Sequence, residues 1–218
     1  PELATRLQHK VVCDFRVQDV RLGGQGAPLV PIGDQLLFPD YDYCLNLGGF
    51  ANISTQNGVD RIAYDVSPVN VVLNTYAQLL GKAYDDGGAF AKAGVVHEDL
   101  LNHLNALPFY KASAPKSLGI EWVHQNIFPL LERAGLTPKD TLATVTEHIA
   151  IQLARQFPGN ARILVTGGGA YNQFLLARIK AHATIDLIIP NEALLEFKEA
   201  LIFAFLGVLR IRNEINVL

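Results

Sequence analysis

The sequence predicts an α/β fold in which a β-hairpin is joined to parallel strands. Three observations carry that expectation. Asn57-Gly58 stands between two strand-like runs, the strongest short-range hairpin signal. Arg162-Ile163-Leu164-Val165-Thr166 is a short apolar run that ends on Gly167-Gly168-Gly169 and leads into a helical pattern. Two helix-start signals, Ser67-Pro68 and Thr137-Pro138-Lys139-Asp140, place helical periodicity after the hairpin and before that run.

Taken in order, Glu2 to Leu7 reads as the end of a helix and Val11 to Phe15 as a short strand. Residues 16–38 are rich in Gly and Pro without periodicity, which predicts a binding loop followed by a short helix or turn. Tyr41 to Thr55 has the alternation of a strand, interrupted by Gly48-Gly49, with Asp60 to Val66 as its return partner. Ser67 then reads as an N-cap and Pro68 as the first helical residue. Apolar positions at Val69, Val72, Leu73, Tyr76, Leu79 and Leu80 keep helical spacing up to Gly81. Residues 82–126 read as a polar, irregular insertion with one short helix near 98–106, placed to cover a substrate. The helix capped by Thr137 runs to about Phe157, where Pro158-Gly159-Asn160 breaks it. A strand at 162–166, a helix at 171–182 and a strand at 184–189 follow. The helix from Asn191 to about Arg212 is apolar almost all round, which predicts burial.

The chain's 218 residues, half of them hydrophobic, suffice for a full core. Eighteen basic against 21 acidic residues, with no run of Lys or Arg, argue against a nucleic-acid partner. Cys13 and Cys44 read as buried, reduced thiols, and the six histidines show no ligand-like spacing, so no metal-binding residues are expected. The longest apolar stretch, residues 200–209, is too short to span a bilayer, so no membrane partner is expected. A helix end at Glu2–Leu7 with nothing before it to pack against predicts that these residues are a piece of a longer polypeptide.

Four constellations carry chemistry. Asp65 ends a strand ahead of a helix start, where ligands of α/β sheets gather. It fits a general base toward a phosphoryl acceptor, or the commoner case of an acid at a helix start or a turn former. The turn Thr166-Gly167-Gly168-Gly169-Ala170-Tyr171-Asn172 fits nucleotide contact through backbone amides, or a tight strand-to-helix turn. It lacks the third glycine of a dinucleotide fingerprint and the Gly-Lys-Ser/Thr of a Walker loop. Gly23-Gly24-Gln25-Gly26-Ala27-Pro28 fits a loop over a ligand, with Arg16, Asp19 and Arg21 before it either holding an anion or pairing with each other. Lys116 and Ser117 lie in a Pro/Gly-flanked loop suited to a sugar or phosphate, or to solvent.

The order of these pieces resembles the anhydro-N-acetylmuramic acid kinase family over nearly the whole chain. The resemblance is carried by Asp14-Phe15-Arg16, Gly23 to Pro28 and Asn46 to Ser54. It continues through Asp65 with Pro68 and Asn70, then Pro115-Lys116-Ser117 with Gly119 and Glu121. Gly167 to Asn172 and Glu199-Ala200 with Phe203-Ala204 complete it. It implies the actin-like, hexokinase-like ATPase fold with two ribonuclease-H-like domains. Residues 1–40 would be the remainder of the first domain and its glycine-rich loop. Residues 41–218 would be the second, with the insertion at 82–126. It implies a bacterial cytoplasmic kinase in peptidoglycan recycling that uses ATP and Mg²⁺. Such an enzyme opens 1,6-anhydro-N-acetylmuramic acid with water and phosphorylates O6, giving N-acetylmuramic acid 6-phosphate.

The implied roles are Asp65 as the base that activates water, and Gly48, Gly49 and Asn52 as phosphate contacts. Gly167, Gly168, Gly169, Ala170 and Asn172 fall on the nucleotide side. Arg16, Gln25, Lys116, Ser117 and Glu199 fall near the sugar. Two departures stand out. The family's Thr-Gly-Pro-Gly-Asn after the aspartate is here Val66-Ser67-Pro68-Val69-Asn70, and its Gly-Asp before the Glu-Ala pair is Leu195-Glu196. The family's Ser-Gly-Thr-Ser-x-Asp-Gly phosphate loop does not occur within these residues, so the chain alone is expected to be inactive or nearly so. Apolar surface left by a missing first domain would favour a homodimer. The competing expectations are a non-catalytic nucleotide- or sugar-binding module and an actin-fold kinase with another small-molecule acceptor.

Overall fold

Five strands form one mixed sheet in the computed structural model, which describes residues 2–23, 26 and 28–217. They are β1 (Tyr43–Leu47), β2 (Phe50–Asn57), β3 (Asp60–Pro68), β4 (Arg162–Thr166) and β5 (Asp186–Ile188), in the order β3-β2-β1-β4-β5. β1 and β4 are parallel, as are β4 and β5, whereas β2 runs against both its neighbours. A five-stranded sheet of this order with only its second strand reversed is the ribonuclease-H-like arrangement that the resemblance implies.

The predicted hairpin is present and longer than expected. Asn57 pairs with Asp60 around Gly58, and β3 continues to Pro68. The stretch 41–55, read as one interrupted strand, is two antiparallel strands, because Gly48 and Gly49 turn the chain back on itself. Tyr43 pairs with Thr55 and Leu47 with Ala51. The Asn52–Asp65 and Ala51–Ser67 pairs are separated by one extra residue of β3, Val66, which is a β-bulge.

The extension of β3 overturns the expected helix start. Pro68 pairs with Phe50 in the sheet, Ser67 makes no cap and its hydroxyl donates to the Pro68 carbonyl, and α4 (Asn70–Gln78) begins two residues later. Val69, Asn70 and Val71 give their N–H groups to the carbonyls of Gly48 and Gly49, so the turn supplies the bonds a cap would have made. The later helix starts behave as expected. Thr137 accepts from Asp140 N at 3.2 Å ahead of α9 (Pro138–Ala154), and Asn191 accepts from Leu194 N ahead of α11 (Glu192–Ile211).

One face of the sheet (Leu45, Leu47, Ile53, Ile163 and Val165) is sealed by α4, α9 and α10 (Gln173–His182) into the main core. The insertion is not irregular. It folds as α5 (Ala89–Ala93), α6 (Glu98–Asn105) and α7 (Ile120–Asn126) with short 3₁₀ turns, followed by α8 (Phe128–Ala134). Leu100, Leu104, Val123 and Leu131 join the main core and make tertiary burial decide what polar composition hid.

Residues 2–37 hold three helices, α1 (Glu2–Leu7), α2 (Phe15–Arg21) and α3 (Pro31–Leu37). Residues 11–14 form no strand; Val12 packs against the second core cluster instead, and Cys13 is exposed where burial was expected, whereas Cys44 is buried. Phe15, Leu29 and Ile32 pack with Ile202, Leu206 and Leu209 in a second core cluster. Gly33 lets α3 cross α11 closely, because a Cβ there would lie 2.4 Å from Ile202 Cγ2. α11 is therefore buried along one stripe, Leu195, Lys198, Ile202, Leu206 and Leu209, while Phe197, Leu201, Val208 and Ile211 stay exposed. The expectation of burial all round is corrected by the absence, among the described residues, of anything packed on that outer face.

Candidate functional site

The second face of the sheet carries a polar row. Asp65 pairs with Asn52, Asn52 with Asn46, and Asn46 with Thr166, so one residue from each of β3, β2, β1 and β4 lies in register across the sheet. Paired residues share a face, and neighbouring strands lie about 4.8 Å apart, so the row is about 14 Å long. All four residues line a cleft of about 690 Å³. Its other walls come from α2 (Arg16), the loop of Lys116 and Ser117, and the start of α11 (Lys198 and Glu199).

Asp65 occupies one end of the row. Its Oδ2 accepts from Leu118 N at 2.8 Å, and its own N–H donates to the Lys116 carbonyl at 2.9 Å. Burial raises the carboxyl above the usual carboxylate range, and the Leu118 bond opposes that rise. The bulge at Val66 follows at once and re-aims the strand after the carboxylate.

Gly167 to Ala170 occupies the other end. Gly167 has φ 83°, and a Cβ there would lie 2.6 Å from Asn46 Oδ1 and 2.9 Å from Leu47 C. At Gly169 it would lie 2.7 Å from Leu47 Cβ. These two glycines are required by the close packing of the turn on β1. Gly168 alone of the three is exposed, and a Cβ there would meet only Asn70 Nδ2, at 3.9 Å. Ala170 is buried in the main core, and Asn172 caps α10 by accepting from Leu175 N.

Of the residues expected near the sugar, Arg16, Lys116, Ser117 and Glu199 line the cleft, and Gln25 lies outside the described residues. Arg16 neither pairs with Asp19 nor stands idle. Its Nη1 donates to the Gly26 carbonyl at 2.8 Å while Asp19 Oδ2 accepts from Gly26 N at 2.6 Å, a two-handed grip on the glycine-rich loop. Glu199 is exposed, and its side chain makes no hydrogen bond among the described residues. Gly48 and Gly49 do not line the cleft, and their carbonyls hold the start of α4.

The departures Ser67 and Val69 are both wholly buried, so their side chains are spent in the core instead of the cleft. Sequence reading missed Asn46 as a site residue and took Thr166 only as the start of the glycine turn, although polar residues at strand ends were the available signal. It also missed the buried Lys198–Asp34 ion pair, 2.8 Å, in the cleft wall. Only the fold joins two charges so far apart in the chain.

Among the described residues no three His, Cys, Asp or Glu side chains stand together as a metal site. Asp65, Asn52 and Asn46 line the cleft with oxygen donors, the donor type that Mg²⁺ takes beside water and phosphate oxygens. The exposed Gly168 and its open surroundings suit the close approach of a nucleotide. No helix is long and apolar enough to cross a membrane among the residues described.

The profile of the family described as anhydro-N-acetylmuramic acid kinase matches residues 1–215. The anhydro-N-acetylmuramic acid kinase of Saccharophagus degradans is 38% identical over 218 residues, covering 93% of this chain and 58% of that protein. That of Aliivibrio fischeri is 35% identical over 229 residues, covering 97% of this chain and 61% of its own. The chain thus spans about three fifths of the length of these curated relatives. Among solved structures, component A of the (R)-2-hydroxyglutaryl-CoA dehydratase of Acidaminococcus fermentans aligns at a TM-score of 0.48. It shares 15% identity over 79% of this chain and 63% of that one, a likeness too slight to bear on function.

Proposed function

The chain belongs to the anhydro-N-acetylmuramic acid kinase family, and from that premise we propose that its protein is an ATP-dependent sugar kinase. It opens 1,6-anhydro-N-acetylmuramic acid with water and phosphorylates O6, giving N-acetylmuramic acid 6-phosphate. The setting is peptidoglycan recycling in the bacterial cytoplasm. The observation that supports this reading most is the polar row, with a desolvated carboxylate at one end and an exposed glycine turn at the other.

In this reading Asp65 takes a proton from water as the water oxygen bonds to the anomeric carbon. The anomeric C–O6 bond breaks, O6 bonds to the γ-phosphorus, and ADP leaves. The Leu118 N–H holds Oδ2, so the carboxylate is oriented before the substrate arrives. A base whose basicity is raised by burial is better matched to neutral pH than a solvated aspartate. Asn46, Asn52 and Thr166 direct polar groups into the cleft between base and turn. Arg16, Ser117 and Glu199 contact the sugar, with Gln25 contributing from the loop that Arg16 grips. Gly168 lets the nucleotide approach the turn, and Mg²⁺, carried on the phosphates, supplies charge neutralisation.

We assign residues 1–40 to the remainder of a first ribonuclease-H-like domain and 41–218 to the second. The 218 residues alone are proposed to be inactive, since no Ser-Gly-Thr-Ser type phosphate loop occurs within them. The test is phosphotransfer by the full-length protein with ATP, Mg²⁺ and anhydro-N-acetylmuramic acid, with product identified by mass. Asp65→Asn is expected to lower kcat about 10²–10⁴-fold while ATP still binds. A wild-type protein that binds ATP but forms no phosphorylated, hydrated sugar would overturn the reading.

A further inference from the structure

We propose that Lys116 is a positioning residue for Asp65, a latch that closes the 109–118 segment on itself, and not a ligand of the sugar. The proposal rests on the reading of Asp65 as the base.

The ammonium of Lys116 is already engaged. Nζ donates to the Phe109 carbonyl at 3.0 Å and to the Ala112 carbonyl at 3.1 Å. It also lies 4.5 Å from the centroid of the Phe109 ring. Two of its three protons are spent on carbonyls and the charge rests on an aromatic face. The carbonyls belong to the 3₁₀ turn Pro108–Lys111 and its C-cap, where the oxygens at the turn's end favour a cation; that of Phe109 also accepts from Ala112 N at 3.2 Å. The turn is itself anchored: Phe109 and Tyr110 pack on Trp122 of α7, with centroids at 5.4 Å and 6.2 Å.

The same short segment then grips Asp65 from both sides of Ser117. The Lys116 carbonyl accepts from Asp65 N at 2.9 Å, and Leu118 N donates to Asp65 Oδ2 at 2.8 Å. This grip is made by a half-buried loop that has no sheet of its own. A loop in that position holds a carboxylate only if something else holds the loop. The lysine latch is the contact that does so: it ties residue 116 back to residues 109 and 112, and they are fixed to the insertion's aromatic cluster.

Removing the ammonium frees the loop, weakens the Leu118 bond, and leaves Asp65 more basic, because that bond favours its charged form. The acid limb of the rate profile then moves to higher pH. Tyr64 and Cys44 of the sheet, Arg16 of α2 and Asp34 of α3 share the cleft with Asp65. Glu196, Lys198 and Glu199 of α11 do so too. None of these is hydrogen-bonded to the carboxylate among the described residues, so Leu118 is the contact whose loss the profile reports.

The experiment compares wild type, Lys116→Met and Lys116→Arg in the full-length protein. It measures amide hydrogen exchange at Leu118 and Asp65 and the pH dependence of kcat. Lys116→Met is expected to speed exchange at both amides about tenfold and to raise the acid limb by about one pH unit, with KM for the sugar unchanged. Lys116→Arg, which restores charge and donors, returns both readouts toward wild type. A tenfold rise in KM with protected Leu118 and Asp65 amides would overturn the proposal in favour of sugar contact. Unchanged exchange and an unchanged profile would overturn it outright. If wild type shows no phosphotransfer, the reading of Asp65 as base fails, and the exchange data still decide the latch.

Discussion

At the scale of single residues, the triple glycine shows how one motif divides between structure and function. Gly167 and Gly169 exist because β1 leaves no space for a Cβ, and Gly167 also needs a positive φ. Gly168 has open space, and it is the glycine that the proposed nucleotide would approach. Gly167→Ala and Gly169→Ala are expected to cost about 1–3 kcal/mol each in urea unfolding. Gly168→Ala should leave stability within about 0.5 kcal/mol of wild type and weaken nucleotide binding, measured by titration of the full-length protein. A Gly168 variant that binds nucleotide normally would return the whole motif to packing. Both possibilities were legible in the turn Gly167–Asn172. The partition between its glycines was not, since it depends on Leu47 and Asn46, more than a hundred residues earlier.

At the scale of elements, α9 is the hub against which the insertion, α4 and α10 pack. Its N-cap and its end could be read from Thr137 and Pro158; its burial on nearly all sides could not. Burial leaves polar side chains in the core, and His148 is the clearest. Its Nδ1 is bonded to Asn105 Oδ1 at 2.8 Å, and burial, with the nearby charge of Arg155, pushes its pKa down to about 3. The unfolded chain titrates this histidine near 6.5. Between those values the unfolded state holds a proton that the folded state refuses, so stability falls as pH drops from about 6.5 toward 3. Urea unfolding from pH 7 to pH 4 should show that loss, and His148→Gln should flatten it by about one proton's worth of slope. Equal slopes in the two proteins would show that the histidine is not held neutral.

At the scale of the whole molecule, α11 ties two cores together. Leu195 belongs to the core of the sheet, whereas Ile202, Leu206 and Leu209 belong to the cluster with α2 and α3. Lys198 stands at the crossing and pairs with Asp34 in the wall of the cleft. Both groups are almost fully buried, so removing one partner strands the other in a poorly solvated site. Lys198→Met is expected to destabilise by about 3–5 kcal/mol in chemical denaturation, and adding Asp34→Leu should recover most of that loss. A single variant as stable as the wild type would mean that the pair does not bind the two cores. The exposed Phe197, Leu201, Val208 and Ile211 lie on the opposite side of the same helix and take no part in this junction.

Local chemistry and order along the chain determined the α/β class, the Asn57-Gly58 hairpin, the capped starts of α9 and α11, and the family to which the chain belongs. Those features depend on neighbours in sequence, where turn geometry, capping and periodicity act over a few residues. Tertiary structure alone decided that β3 runs through Ser67-Pro68, that 11–14 is no strand, and that the insertion is helical. It alone aligned Asp65, Asn52, Asn46 and Thr166 into one row, because register across four strands is a long-range quantity. It also turned Lys116 inward onto its own loop, an outcome set by two carbonyls and a ring that composition does not place.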